Sequence, residues 1–115
     1  MNILVYGAGT IGLTYAWLLS NQHQVTVLVR EHKLSTLEQG FTISIKDLRK
    51  DDQVYKEHHF QPPLVTSIDQ DYDLILLTVN SLQLEQALDH LAAIKGKANL
   101  LILQNNWNIL SLIHI

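Results

Sequence analysis

The sequence of 115 residues contains no cysteine, which excludes a disulfide framework, a thiolate nucleophile and any metal site with cysteine ligands. Proline and glycine are scarce, with two and five copies, so the chain is neither collagen-like nor of low complexity. Only 17% of the residues are charged while 47% are hydrophobic, a composition that predicts a folded core. At roughly 150 residues per domain, this length fits one compact domain or a part of a larger protein.

The chain also lacks an excess of positive charge. Eight Lys and Arg oppose 11 Asp and Glu, giving a formal net charge of −3. Because nucleic acids and anionic membranes bind basic surfaces, we expect neither as a partner. The six histidines are scattered, and the adjacent His58 and His59 would point to opposite faces of a strand, so we predict no metal site.

Signal peptides and membrane spans have no counterpart in the sequence. Residues 1–6 run directly into an apolar strand, without the basic, apolar and cleavage regions of a signal peptide. The longest apolar runs, 74–79 and 98–103, fall far short of the roughly 20 residues that cross a bilayer. We therefore expect a cytoplasmic protein that does not enter a membrane.

What is present is an alternation of strands and helices. The pattern predicts an apolar strand over 2–6, a glycine-rich turn over 7–12, a helix to 20–21 and a buried strand over 25–29. Two more helices are predicted: one over 31–39, which ends at Gly40 as its C′ residue, and one that begins at Ser81 and ends at 95–97. Two more strands are predicted over 74–79 and 99–103.

One segment has the different periodicity of a half-buried strand. Apolar and polar residues alternate over 41–46, and a charged stretch over 47–52 leads to Val54 and Tyr55. We interpret these residues as an inserted antiparallel hairpin. The predicted fold class is α/β: one domain over residues 1–115, with a Rossmann-like, mostly parallel sheet, helices on both faces and this hairpin.

The motif with the most chemistry is G-x-G-x-x-G at residues 7–12. It follows a strand and opens a helix, which is the context of a dinucleotide-binding turn. The first glycine allows the tight turn, the second lets the backbone approach a pyrophosphate, and the third lets the helix pack closely on the strand. The helix N-terminus would hold the anion, so the candidate cofactor-binding residues here are Gly7, Gly9, Thr10, Ile11 and Gly12.

The choice between NAD and NADP is made about 20 residues further on, where NAD enzymes carry an acidic side chain for the ribose 2′-hydroxyl. This sequence has Arg30 there, and a guanidinium pairs well with a 2′-phosphate, so NADP is favoured. Glu31 leaves the alternative open, because a strand shifted by one residue would give its carboxylate the NAD role.

Two polar segments follow predicted strands at the edge where open α/β sheets bind ligands, residues 78–83 and 103–107. Their Asn, Ser and Gln side chains donate and accept hydrogen bonds without charge, which suits ribose and carboxamide recognition better than proton transfer. Helix capping by Ser81 or Asn106 is the competing interpretation. The candidate residues at this edge are Asn80, Gln83 and Asn105.

Taken together, the segments NILVYGAGTIGL (2–13), VLVR (27–30), GF (40–41), DLILLTV (73–79) and LQN (103–105) resemble the N-terminal domain of the ketopantoate reductase family. The family reduces a 2-oxo acid to a 2-hydroxy acid with NADPH on the way to pantothenate. The resemblance implies that Gly7, Gly9 and Gly12 carry the pyrophosphate and that Arg30 carries the 2′-phosphate. It implies that Gln83 and Asn105 contact cofactor or substrate.

The sequence departs from the family in two respects. Asn80 stands where the family has Lys, and Asn106 where it has Gly in an Asn-Gly turn, which weakens the expectation of ketopantoate itself as substrate. The family's helical C-terminal domain, with its catalytic Lys, has no counterpart in the 115 residues, so no catalytic residue is assigned.

Two functions follow from these observations. The first is the NADP(H)-binding domain of a ketopantoate-reductase-like oxidoreductase, inactive alone and acting on a 2-oxo acid when a second domain completes the site. The second is a non-catalytic dinucleotide-binding sensor or regulatory module. The apolar segment 109–115 predicts burial against the sheet or against another copy of the chain, as in a homodimer.

Overall fold

The computed structural model describes residues 1–46, 48–49, 54–68, 70–79, 81–92 and 98–103. In chain order its elements are β1 (Asn2–Tyr6), α1 (Thr10–Leu19), β2 (Gln24–Leu28), α2 (Glu31–Leu37), β3 (Phe41–Lys46), β4 (Tyr55–Phe60), β5 (Leu64–Val65), β6 (Leu74–Leu77), α3 (Ser81–Ala92) and β7 (Asn99–Ile102).

The main sheet has five strands in the order β5-β2-β1-β6-β7, all parallel to their neighbours. Its central strand is β1, where Val5 is level with Val27 on one side and Leu76 on the other. The chain builds outward from β1 through β2 to β5 and then returns to β6. Strand order therefore reverses between β1 and β6, which is where such sheets bind ligands.

The side chains of β1 alternate between two apolar cores, one on each face of the sheet. Ile3 and Val5 pack with Ala16 of α1, and Leu34 of α2 joins the same cluster. On the opposite face, Leu77 of β6 packs with residues of α3. Helices therefore cover both faces, and the predicted Rossmann-like fold class is confirmed.

The predicted hairpin is present as a separate antiparallel pair, in which β3 runs against β4 from Phe41 opposite Phe60 to Lys46 opposite Tyr55. Along β3, half-buried and exposed residues alternate as the period of two requires. The ring of His58 lies 4.9 Å from that of Trp17 on α1, measured between centroids. This aromatic contact joins the hairpin to α1.

Some boundaries differ from the predictions. Strand β2 ends at Leu28 and β6 at Leu77, earlier than expected, and α2 ends at Leu37 with Glu38 as its C-cap. Gly40 therefore lies two residues beyond the cap rather than at C′, and its φ of 90° serves the turn into β3.

The two-residue strand β5 is an element that the sequence pattern did not predict. It is held beside β2 by backbone hydrogen bonds from Val27 N–H to the Pro63 carbonyl (2.9 Å) and from Val29 N–H to the Val65 carbonyl (2.8 Å). Two residues are too few to show a periodicity, so only the pairing reveals the strand.

Several predictions fall on residues outside the described ranges: the close of the last helix at 95–97, the segment 104–107 and the apolar tail 109–115. Among the residues that the structure does describe, no helix has the length and apolarity that spanning a bilayer requires. The same residues contain no group of three or more side chains suited to hold a metal ion.

Candidate functional site

A cleft of about 490 Å³ lies over the carboxyl ends of β1, β2 and β6, where the strand order reverses. Its lining comes from the turn after β1, the segment leading into α2, the residues after β6 and one side of α3. The glycine turn is thus brought to the same cavity as Arg30 and Gln83.

Gly7 opens the turn with a φ of 124°, a backbone conformation that residues with a Cβ rarely adopt. A Cβ at this position would lie 2.7 Å from the hydroxyl oxygen of Thr78, just after β6. That hydroxyl lies 3.2 Å from the carbonyl oxygens of both Tyr6 and Gly7, to either of which it can donate. The turn is therefore fastened to the end of β6.

Gly12 is the closest point between α1 and this turn. A Cβ there would collide with the carbonyl oxygen of Gly7 and would lie 2.6 Å from the Thr78 hydroxyl. One of these obstacles is backbone and cannot rotate away. The packing of α1 on the sheet therefore requires glycine at this position.

Gly9 differs from the other two glycines of the motif. Apart from its own chain neighbours, a Cβ built on it would have no described atom within 4 Å, and its φ of −82° is open to any residue. It is the N-cap of α1 and offers no side-chain hydrogen bond to the helix, although Ser, Asp or Asn would do so. The fold gives no reason for glycine here, whereas a ligand that approaches the backbone would.

The first turn of α1 adds donors for an anion. The first intrahelical bond runs from Leu13 N–H to the Gly9 carbonyl (2.9 Å), so the N–H groups of Thr10, Ile11 and Gly12 precede the helical ladder. The first turn carries no acidic residue, and the positive end of the helix dipole lies at the same N-terminus as these free N–H groups. Backbone N–H groups and the dipole together suit a phosphate.

Two cations line the cleft on the β2 side. Arg30 occupies the N-cap position of α2, and Lys33 follows one helical turn later. Glu31 is absent from the lining, and no described lining residue is Asp or Glu. A chain with a net charge of −3 therefore presents a locally positive cavity.

Tyr6 also lines the cleft, at the end of β1. Its hydroxyl lies 2.9 Å from Nδ1 of His90 on α3, and the two rings meet edge to face. Burial raises the pKa of Tyr6 above its ordinary value of 10.0, while the positive charge of Arg30 acts in the opposite direction. The positive charge of Arg30 therefore acts on the Tyr6 hydroxyl within the cleft.

This pKa direction predicts how stability changes in alkali. Because the pKa of Tyr6 is higher in the folded than in the unfolded chain, folding favours the protonated phenol, and stability is lost as pH rises above about 10. Urea titrations at pH 9.5, 10.5 and 11 should show a smaller loss for Tyr6→Phe than for the unmodified chain. Tyr15→Phe, on an exposed position of α1, is the matched control. Equal losses in all three proteins would contradict the prediction.

Similarity to known proteins identifies the family of this chain. Residues 3–114 match the family described as ketopantoate reductase PanE/ApbA. The chain belongs to the ketopantoate reductase family. The 2-dehydropantoate 2-reductase of Bacillus subtilis (strain 168), with 37% identity over 108 residues, is matched by 91% of this chain and over 33% of its own length.

Other ketopantoate reductases agree with this assignment. The 2-dehydropantoate 2-reductase of Listeria monocytogenes is 27% identical over 107 residues, which cover 91% of this chain and 35% of that protein. The chain spans about a third of the length of these curated relatives, and it corresponds to their N-terminal part.

Solved structures of other proteins share the fold. The crystal structure of a probable 2-dehydropantoate 2-reductase from Bacillus subtilis has a TM-score of 0.79 and 30% identity, covering all of this chain (100%) and 38% of that one. D-mandelate dehydrogenase, solved with NADH and anilino(oxo)acetate, has a TM-score of 0.77 at 22% identity over 98% of this chain and 36% of that one. At that identity the likeness concerns the fold alone.

Within this ketopantoate reductase domain, the structure brings four of the nine sequence-predicted site residues to one cleft. Gly7, Gly9, Arg30 and Gln83 line it, and Gly12 holds α1 against the glycine turn. Thr10 and Ile11 are exposed on the first turn of α1, outside the lining of that cleft. Asn80 and Asn105 lie outside the described residues.

The structure also adds residues that sequence analysis missed, namely Tyr6, Lys33 and Gln86. Lys33 is thus a second cation on the cleft wall beside Arg30, the cation that the sequence predicted there. Lys33 follows Arg30 by three residues and Gln86 follows Gln83 by three, but this spacing alone does not distinguish them from other exposed helical side chains.

Proposed function

We propose that this chain is the NADP(H)-binding part of an oxidoreductase that reduces a 2-oxo acid to a 2-hydroxy acid. Its curated relatives are named 2-dehydropantoate 2-reductases, which is the reaction class that the family resemblance implies. The observation that carries the proposal is Gly9, a glycine on the cleft wall that neither its φ nor its packing explains.

The pyrophosphate of the cofactor fits the turn that contains Gly9. With no Cβ in the way, an anion can reach the backbone N–H groups that begin α1. Thr10 and Ile11 contribute these groups through their backbones, so their side chains are free to be exposed, as Ile11 is.

The adenosine end of the cofactor is proposed to lie toward α2. Arg30 lines the cleft there and Glu31 does not, which favours a 2′-phosphate over a bare 2′-hydroxyl. If the acidic residue were the reader of the ribose, a carboxylate would be expected on the wall of the cavity.

The nicotinamide end is proposed to lie toward the ends of β6 and β7, on the side of the cleft that Gln83 lines. NADPH, when bound, supplies the hydride. Amide side chains can orient a carboxamide or a substrate carbonyl but have no proton to donate near neutral pH. We therefore propose that the proton donor for the developing alkoxide lies outside this chain, in the part that the longer relatives contain.

Arg30→Ala tests the proposal most directly. The unmodified chain should bind NADPH more tightly than NADH in calorimetric titrations. The variant should lose about 1.5–3 kcal/mol of NADPH binding, the scale of a hydrogen bond to a charged group, because the 2′-phosphate loses its guanidinium. NADH affinity should change little, which serves as the internal control. A preference of the unmodified chain for NADH would identify Glu31 as the ribose reader and overturn the assignment.

A further inference from the structure

A second cation lines the cleft, and neither the glycine motif nor the proposed role of Arg30 accounts for it. Lys33 lines the same cavity as Arg30, and its backbone N–H donates to the Arg30 carbonyl at 2.9 Å. This bond closes the first turn of α2 three positions after its N-cap, Arg30, and both residues line the cavity. Their placement is therefore set by backbone geometry.

The charge of Lys33 has no counter-charge within the cavity. None of the described residues that line the cleft is Asp or Glu, although the chain as a whole is acidic with a net charge of −3. Glu31 and His32 lie between the two cations in sequence, yet neither belongs to the lining. The neighbouring acid, Glu31, is therefore not part of the cavity wall that carries the two cations.

We propose that Lys33 is a second specificity-determining residue, which binds the 2′-phosphate of NADPH together with Arg30. This inference rests on the proposed function. A phosphate monoester carries about −1.5 to −2 charges at pH 7. One guanidinium neutralises only part of that charge, whereas a guanidinium and an ammonium match it. Arg30 supplies the planar, bidentate contact, and Lys33 supplies a point charge.

A direct contact between Lys33 and the 2′-phosphate would affect cofactor binding differently from a general positive field in the cleft. A field acts on every anionic group of the cofactor, including the pyrophosphate that NADH and NADPH share. A contact to the 2′-phosphate acts on NADPH alone. The ratio of NADPH to NADH affinity therefore separates the two roles, and this ratio is the quantity to measure.

The experiment is calorimetric titration of the chain with NADPH and with NADH for Lys33→Met, Lys33→Arg and Lys46→Met. Lys46 ends β3 on the hairpin, outside the cleft lining, so its variant removes the same charge elsewhere. Lys33→Met should lower NADPH affinity about fivefold, the scale of one exposed ion pair, and leave NADH affinity within about twofold. Lys33→Arg should retain the preference, and Lys46→Met should leave both affinities within about twofold.

A second readout follows the phosphate itself. In ³¹P NMR of bound NADP, the pKa of the 2′-phosphate should be higher on Lys33→Met than on the unmodified chain, because a nearby cation favours the dianion. Equal loss of NADPH and NADH affinity, equal effects of Lys33→Met and Lys46→Met, or an unmoved phosphate pKa would each overturn the proposal.

Failure of the broader function gives a different result. If the unmodified chain binds neither cofactor, the proposed function and the Lys33 inference both fall. If it prefers NADPH and Lys33→Met keeps the full preference, only the inference falls. Lys33 is exposed on α2, so matching thermal unfolding of the variants confirms that folding is not the variable.

Discussion

Gly12→Ala is expected to lower the free energy of unfolding by about 3 kcal/mol, at the upper end of the usual penalty for overpacking. The new methyl group would meet the Gly7 carbonyl oxygen and the Thr78 hydroxyl, so α1 must move away from the turn. Alanine gains about 1 kcal/mol of helix propensity over glycine, which is too little to offset this clash. Urea unfolding followed by circular dichroism measures the effect.

Gly9→Ala is the matched control for this substitution. It adds the same methyl group at the N-cap of α1, three residues before Gly12, where no atom other than those of its chain neighbours lies within 4 Å. Its free energy of unfolding should stay within about 1 kcal/mol of the unmodified value, since only a modest N-cap preference is lost. A Gly12→Ala variant as stable as Gly9→Ala would show that α1 does not depend on the close approach to Gly7.

Gly9→Val is expected to reduce the affinity for NADPH and NADH alike by about 100-fold or more. Its branched side chain would project into the cleft where the pyrophosphate approaches the backbone, and losing one or two hydrogen bonds to a charged group costs about 1.5–3 kcal/mol each. The fold should persist, because the φ of −82° and the open surroundings accept a side chain. Calorimetric titration with both cofactors is the measurement.

The comparison with Arg30→Ala makes the Gly9 result specific. A defect at the pyrophosphate affects both cofactors, whereas a defect at the 2′-phosphate affects NADPH alone. A Gly9→Val chain that still binds NADPH as tightly as the unmodified one would remove the glycine turn from the cofactor site. The explanation for glycine at that position would then have to come from elsewhere.

The sequence pattern predicted the elements whose residues repeat with a clear period. The alternation over β3 and the apolar runs of β1 and β6 are visible in the chain itself, because burial on one or two faces imposes them. Strand β5 could not be found in this way. Its two residues become a strand only through backbone bonds to β2, and such pairing leaves no mark on composition.

The candidate site was predictable to a similar degree. The motif at 7–12 and the cation at Arg30 follow from spacing, since the turn and the strand end are fixed by the fold class. Lys33 could not be distinguished from any other exposed helical lysine until the cleft wall was visible. The motif already predicted different demands on Gly9 and Gly12, but the close approach of Gly12 to Thr78 needs the structure, because only it brings Thr78 beside the turn.

The contact of Thr78 with the carbonyl oxygens of Tyr6 and Gly7 joins residues that stand 72 and 71 positions apart in the chain, respectively. Such distant contacts form late, because the entropy of closing a long loop must be overcome first. The cleft therefore cannot assemble on an isolated strand–turn–helix unit, because its wall also needs β6 beside β1. At a free concentration of 100 times its dissociation constant, a cofactor that binds only the folded chain would then raise the free energy of unfolding by about 2.7 kcal/mol. This stabilisation extends to the whole sheet, because the cleft needs both β1 and β6.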